Sequence, residues 1–176
     1  VVSRWCDSSA LQACDIRDHD DPARAVLRDV RVIPFARGEK PQDVFQCACR
    51  LGGEFGWSRY TVLWRLRGLL DKLAGGYGLN RGRRAADSLR VGDALDFWKV
   101  ADIREDKRLL LYAQMKLPGQ AWLEFDVQPQ QLVQTAHFLP RGLLGRLYWY
   151  SVLPLHNLVF QDLAEAVVRG ARKPQL

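Results

Sequence analysis

The chain has 176 residues, 48% hydrophobic and 26% charged, with 14 Gly and 8 Pro, values that exclude a disordered or low-complexity polypeptide. At this length roughly 70% of the unfolded surface can be buried in one core. Four cysteines, two of them as Cys47-Ala-Cys49, are too few and too irregular for a secreted disulfide framework, so reduced thiols in a cytoplasmic setting are expected.

The net charge of +6 is unevenly spread: residues 51–90 carry 8 basic and 3 acidic side chains, and residues 140–176 carry 5 and 2. Such an excess attracts an anionic partner or forms a solvated basic surface. The chain opens on Val1-Val2-Ser3-Arg4-Trp5, with no charged or apolar signal segment, and reads as a domain cut from a longer protein.

Residues 1–27, with Asp15, Asp18, His19, Asp20, Asp21 and Pro22, lack periodicity and suggest an irregular arm with one helical turn near Ala23 to Leu27. From Asp29, Val30, Ile33 and Phe35 suggest a strand. Pro41 opens a short helix whose apolar face is Val44, Phe45, Ala48 and Leu51. Ser58 is the N-cap expected for a stronger helix to Ala74, with Leu63, Leu66, Leu69, Leu70 and Leu73 at spacings of three and four. A basic glycine-rich connection follows.

Beyond residue 90, the runs Ala94 to Ile103, Leu109 to Leu117, Ala121 to Val127 and Leu132 to Leu139 are separated by short polar or Pro/Gly turns, which implies antiparallel hairpins. In the central pair, Leu109, Leu111, Ala113, Met115 and Leu117 form one apolar set and Ala121, Leu123, Phe125 and Val127 another. An odd-length turn, such as Pro118-Gly119-Gln120, places both sets on one face; a two-residue turn mixes them. Burial of one greasy face favours the odd turn, and puts Gln114 and Glu124 on the other face. From Gly142 a long helix is expected, kinked or broken before Pro154. The fold class is therefore α+β, a single domain over 28–172, with 173–176 as a tail.

This order of elements is that of the helix-grip fold of START-like and Bet v 1-like ligand-binding domains, a curved antiparallel sheet around a long C-terminal helix. The phrases Gly75-Gly76-Tyr77-Gly78-Leu79-Asn80-Arg81-Gly82-Arg83-Arg84, Leu95-Asp96-Phe97-Trp98, Met115-Lys116-Leu117-Pro118-Gly119, Ala121-Trp122-Leu123-Glu124-Phe125 and Pro140 to Tyr150 are more specific. They resemble an uncharacterised bacterial domain found C-terminal to an NAD(P)-binding, atypical short-chain-dehydrogenase module in proteins labelled nucleoside-diphosphate-sugar epimerases. The resemblance implies a helix-grip domain, with residues 1–27 as the connection from an upstream module. It carries no agreed catalytic residues.

No cofactor is expected in this chain itself. The glycines of 76–82 miss the dinucleotide fingerprint spacing and follow a helix instead of a strand, so NAD(P) is expected only in the upstream module. The same loop can cradle an anion with Arg81, Arg83 and Arg84, or be a turn whose arginines pair with Asp87 or Asp96. Metal binding by Cys6, Cys14, Cys47 and Cys49 would need distant segments and an unusual one-residue spacing, so core thiols are expected and no metal. His19 among its aspartates reads as an acidic surface turn.

Trp98, Tyr148, Trp149 and His156 are candidates to line an apolar ligand pocket, with Tyr150 beside them, because a cavity with few polar groups suits small-molecule binding. Core packing with satisfied polar tips is the alternative. Trp122, taken as exposed, and Glu124 are interface candidates. No positioned nucleophile or close carboxylate pair emerges from spacing, so catalysis by this domain alone is not supported. Two functions remain: a module binding a hydrophobic or amphipathic small molecule, or a structural domain docking the dehydrogenase-like module or an anionic partner. Membrane insertion is not expected, since Arg146, Pro154, His156 and Asn157 interrupt the apolar run. Nucleic acid is not expected either, because the charge comes without a reader motif.

Overall fold

The structure, a computed structural model, describes residues 22–36, 38–52, 89–95 and 97–172. A short 3-10 helix, Pro22–Arg24, leads into β1, Leu27–Pro34, and then α1, Pro41–Cys49. After 53–88, which lie outside the described residues with the expected helix from Ser58, come β2, Ala94–Leu95, β3, Trp98–Arg104, β4, Arg108–Ala113, β5, Gly119–Val127, and β6, Gln131–Pro140. The chain closes with α2, Gly142–Gly170, 29 residues long.

The six strands form one curved antiparallel sheet in the order β1-β6-β5-β4-β3-β2. Four successive hairpins build it, and only β1 joins from afar, pairing with β6 from Leu27 opposite Phe138 to Pro34 opposite Gln131. Pro34, which cannot donate to a ladder, sits at the end of this edge strand. In the β3–β4 hairpin Asp106 adopts a φ of 57°, a left-handed conformation that Asp tolerates at a tight turn. The run from Ala94 to Ile103, expected as one strand, is split into β2 and β3, which pair with each other.

The register of β4 on β5 sets Leu111 opposite Leu123 and Leu109 opposite Phe125, so the two apolar sets share one face. The odd parity is as expected, but the turn lies elsewhere: residues 114–118 connect the strands, and Gly119 and Gln120 already belong to β5, opposite Pro140 and Leu139 of β6. Pairing with β6 satisfies their backbone and outweighs the local preference of Pro-Gly for a tight turn.

Leu109, Leu111, Leu123, Phe125 and Leu132 are fully buried on this face, together with Leu163, Val167 and Val168 of α2. Each such side chain contributes about 1.5–3 kcal/mol on removal from water. Gln134, also buried, donates its amide to the carbonyl of Phe160 at 3.2 Å and ties β6 to the helix. At the edge of the sheet Arg31 pairs with Asp29 at 2.8 Å and reaches Asn157 of α2. Helix α1 packs beside the C-terminal half of α2, where Gly170 leaves room for Cys47: a Cβ there would stand 3.2 Å from its Sγ.

Helix α2 is not broken before Pro154; it runs continuously through it. The proline faces solvent, and so does Tyr150, whose carbonyl loses its i+4 donor and can bond to water instead. Gly145 brings the start of the helix against the sheet, since a Cβ at this position would collide with the Pro118 carbonyl oxygen and Pro140 Cα. Among the described residues, no helix is long and apolar enough to cross a membrane.

Candidate functional site: an apolar cavity between sheet and helix

Trp149, Val152, His156 and Val159 follow Gly145 at spacings of three and four, so the N-terminal half of α2 turns one face to the sheet. The sheet opposite carries small residues. Ala113 lies opposite Trp98, Ala121 opposite Phe138 and Ala136 opposite Leu123, all on the concave face. Where the neighbouring Leu111, Leu123 and Phe125 fill the core, these alanines leave space, and a cavity of 130 Å³ opens between them and the helix.

The wall of this cavity is almost entirely apolar. Trp98, Tyr148, Trp149 and His156, the four residues proposed from the sequence, all border it. Trp149 stacks on Phe138 with centroids 5.5 Å apart and planes 12° from parallel. His156 meets the edge of Trp149 at 5.3 Å and lies 4.6 Å from the ring of Phe160. Each ring is therefore held by the next. Of the other lining residues, Met115 and Leu117 are partly buried and Leu155 is exposed. Tyr150, expected nearby, points to solvent with 61% exposure, because it lies on the outer side of α2.

Met115, Leu117, Phe138, Phe160 and the three alanines went unassigned from the sequence. Ala113 and Ala121 stood in the alternating apolar sets of β4 and β5, where a small residue among large ones is the visible sign of space; Ala136 lies in β6. No carboxylate or thiol borders the cavity among the described residues, and no cluster of three or more His, Cys, Asp or Glu among them could hold a metal.

The interface candidates lie on the opposite face. Trp122 is not exposed; it is fully buried, packed with Ala25 and Leu110 and 5.7 Å from the ring of Tyr112. Ala25, just before β1, thus joins Leu110 and Trp122 in a second small core on this face, which strand alternation alone does not reveal. Glu124 sits in a chain of polar contacts: Arg108 Nε donates to its Oε1 at 2.5 Å, and Arg108 Nη1 donates to Asp102 Oδ2 at 3.0 Å. On its other side His137 Nε2 lies 2.7 Å from Oε2. A carboxylate only accepts, so the imidazole proton belongs on Nε2.

The hydrogen bond from His137 holds the Glu124 carboxyl below its ordinary range; burial opposes this and Arg108 assists it. This favours the ionised form, the opposite of what a general acid needs. Cys47 and Cys49 are not in a disulfide and are partly buried. Cys6, Cys14, His19 and the loop with Arg81, Arg83, Arg84 and Asp87 lie outside the described residues, as does Asp96.

Fold and site thus define an α+β domain in which a curved antiparallel sheet and a long C-terminal helix enclose an apolar cavity. Residues 22–163 match the family described as protein of unknown function (DUF2867), and the chain belongs to it. No curated protein matches the chain. Among solved structures it is similar to TTHA0849 from Thermus thermophilus, at 15% identity and a TM-score of 0.41, over 82% of this chain and 95% of that one. It is also similar to EF2215, a conserved protein of unknown function from Enterococcus faecalis, at 14% identity and a TM-score of 0.38, over 80% and 69% of the two chains.

Proposed function

We propose that this is a helix-grip domain of the START-like and Bet v 1-like kind that binds a hydrophobic or amphipathic small molecule between its sheet and α2. In this reading it serves as an accessory domain to an NAD(P)-binding, dehydrogenase-like module of the same cytoplasmic polypeptide. The observation that carries the binding reading is the apolar cavity of 130 Å³ bordered by Trp98, Tyr148, Trp149 and His156. Apolar cavities of this order take up apolar molecules because water gains few hydrogen bonds against their walls. Thermal unfolding of the chain against a panel of apolar and amphipathic compounds tests it, since a ligand selective for the folded state raises the melting temperature. A concentration-dependent rise that is lost in Trp149→Ala supports binding; a flat response across the panel refutes it.

A second reading, docking of the dehydrogenase-like module, is favoured by one observation. Leu143, Leu144, Leu147, Tyr150, Leu155 and Leu158 form an exposed apolar strip along α2, and such strips mark interaction surfaces. With Trp122 buried, this strip replaces it as the candidate interface. Leu147→Asp would abolish association with the separately produced module if docking holds. Unchanged association would exclude the strip.

A further inference from the structure

We infer that the group bound in the cavity is a single ring or its equivalent in size, an unfused aromatic or a compact branched alkyl group, and not a long acyl chain or fused polycycle. This rests on the binding reading above and narrows it. The volume of 130 Å³ is the first reason. It is close to the roughly 150 Å³ of an engineered cavity that takes up benzene. It is well below the roughly 300–1,000 Å³ of pockets for drug-sized ligands.

The second reason is that the walls resist expansion. The floor is strand backbone bearing Ala113, Ala121 and Ala136, already the smallest chiral side chains, so no rotamer change there can add depth. On the helix side Trp149 is held between its stack on Phe138 and the edge contact of His156. Swinging it aside to admit a larger group would break both contacts. Aromatic rings favour such walls, since they pack edge-on or offset against other rings at centroid separations of about 4.5–7 Å.

The third reason is the asymmetry of the enclosure. Met115, Leu117 and Leu155 are partly exposed, whereas Trp98, Ala136, Phe138 and Trp149 are buried. A ring seats at the closed side, and any polar substituent leaves past the open side into water.

Calorimetric titration of the full chain with toluene, p-cresol, naphthalene and palmitate decides the matter. The expected result is saturable one-to-one binding of toluene and p-cresol and none of naphthalene or palmitate. Ala121→Leu, which fills the floor, should weaken single-ring binding by at least about tenfold. Ala113→Val fills it from the neighbouring strand and serves if the first variant does not fold. Binding of naphthalene or palmitate, sensitive to these substitutions, overturns the size class and leaves the binding reading standing. Single-ring binding that ignores both substitutions overturns the site. Binding of none of the four compounds, combined with a flat thermal response to the wider panel, overturns the binding reading itself.

Discussion

Glu124 and His137 stand on neighbouring strands of the convex face, two residues out of register, with a carboxylate oxygen of one 2.7 Å from Nε2 of the other. The pair lies beside the fully buried Trp122 and is extended by Arg108 and Asp102. Its consequence is an acid-sensitive contribution to stability. The folded-state pKa of Glu124 is lowered from the ordinary 4.5, so folding favours the ionised form. The contribution is complete above the ordinary value and is lost as pH falls through the depressed one.

Glu124→Gln should therefore cost about 1–3 kcal/mol at neutral pH, the usual range for disrupting a largely buried charged hydrogen bond. The difference between variant and parent should shrink as acid protonates the parent carboxyl. Urea unfolding at descending pH measures it. Parallel losses in both proteins would rule the linkage out.

Gly145→Ala presents two opposed effects. Alanine is favoured over glycine within a helix by about 1 kcal/mol. Its Cβ, however, would collide with the Pro118 carbonyl and Pro140 Cα, neither of which can rotate away. Overpacking of this kind costs about 1–3 kcal/mol or more. Net destabilisation is expected, with a changed near-ultraviolet signal from Trp149; a more stable Gly145→Ala would mean that the helix does not press on the 114–118 connection.

Pro154→Ala should act in the opposite direction. Proline in a helix interior costs about 3 kcal/mol relative to alanine, and the substitution restores a donor to the Tyr150 carbonyl. Alanine also leaves the unfolded chain freer, which returns part of this. A net gain of about 1–2 kcal/mol corresponds to a rise of roughly 2–8 °C in Tm for a domain of this size. No rise would show that the helix already accommodates the proline without loss.

Burial pushes the Cys47 thiol up, with Arg50 offsetting part of the effect and Asp43 adding to it. At any pH near neutrality its thiolate fraction is thus below that of an ordinary cysteine, and its alkylation should be slow in the folded protein. Time-resolved iodoacetamide labelling, with Cys47 resolved by peptide mass, measures this. Labelling as fast as in the urea-unfolded chain would contradict the burial.

The alternating runs after residue 90, α1 and a long C-terminal helix were legible because each carries its own period or punctuation, whereas the split of residues 94–103 into β2 and β3 and the continuity of α2 through Pro154 were not. Leu109, Leu111 and Ala113 alternate, Pro41 opens a helix, and the apolar run from Gly142 announces a long one. Tyr148, Trp149 and His156 were named from the sequence because polar-tipped rings within an apolar helix face suggest a lined space; Trp98 lies on β3. Turn placement was not legible, because Pro118-Gly119 reads locally as a tight turn and only pairing with β6 draws Gly119 into a strand.

What the sequence determined by itself was the set of locally periodic elements and the shared apolar face of β4 and β5, since side-chain alternation and helical spacing are properties of neighbouring residues. Tertiary structure decided the rest. It packed Trp122 against Ala25 and Leu110, joined Glu124 to His137 across a strand boundary and set three alanines opposite an aromatic helix face. Each depends on residues far apart in the chain meeting in one register, and the free energy that selects that register comes from the core as a whole.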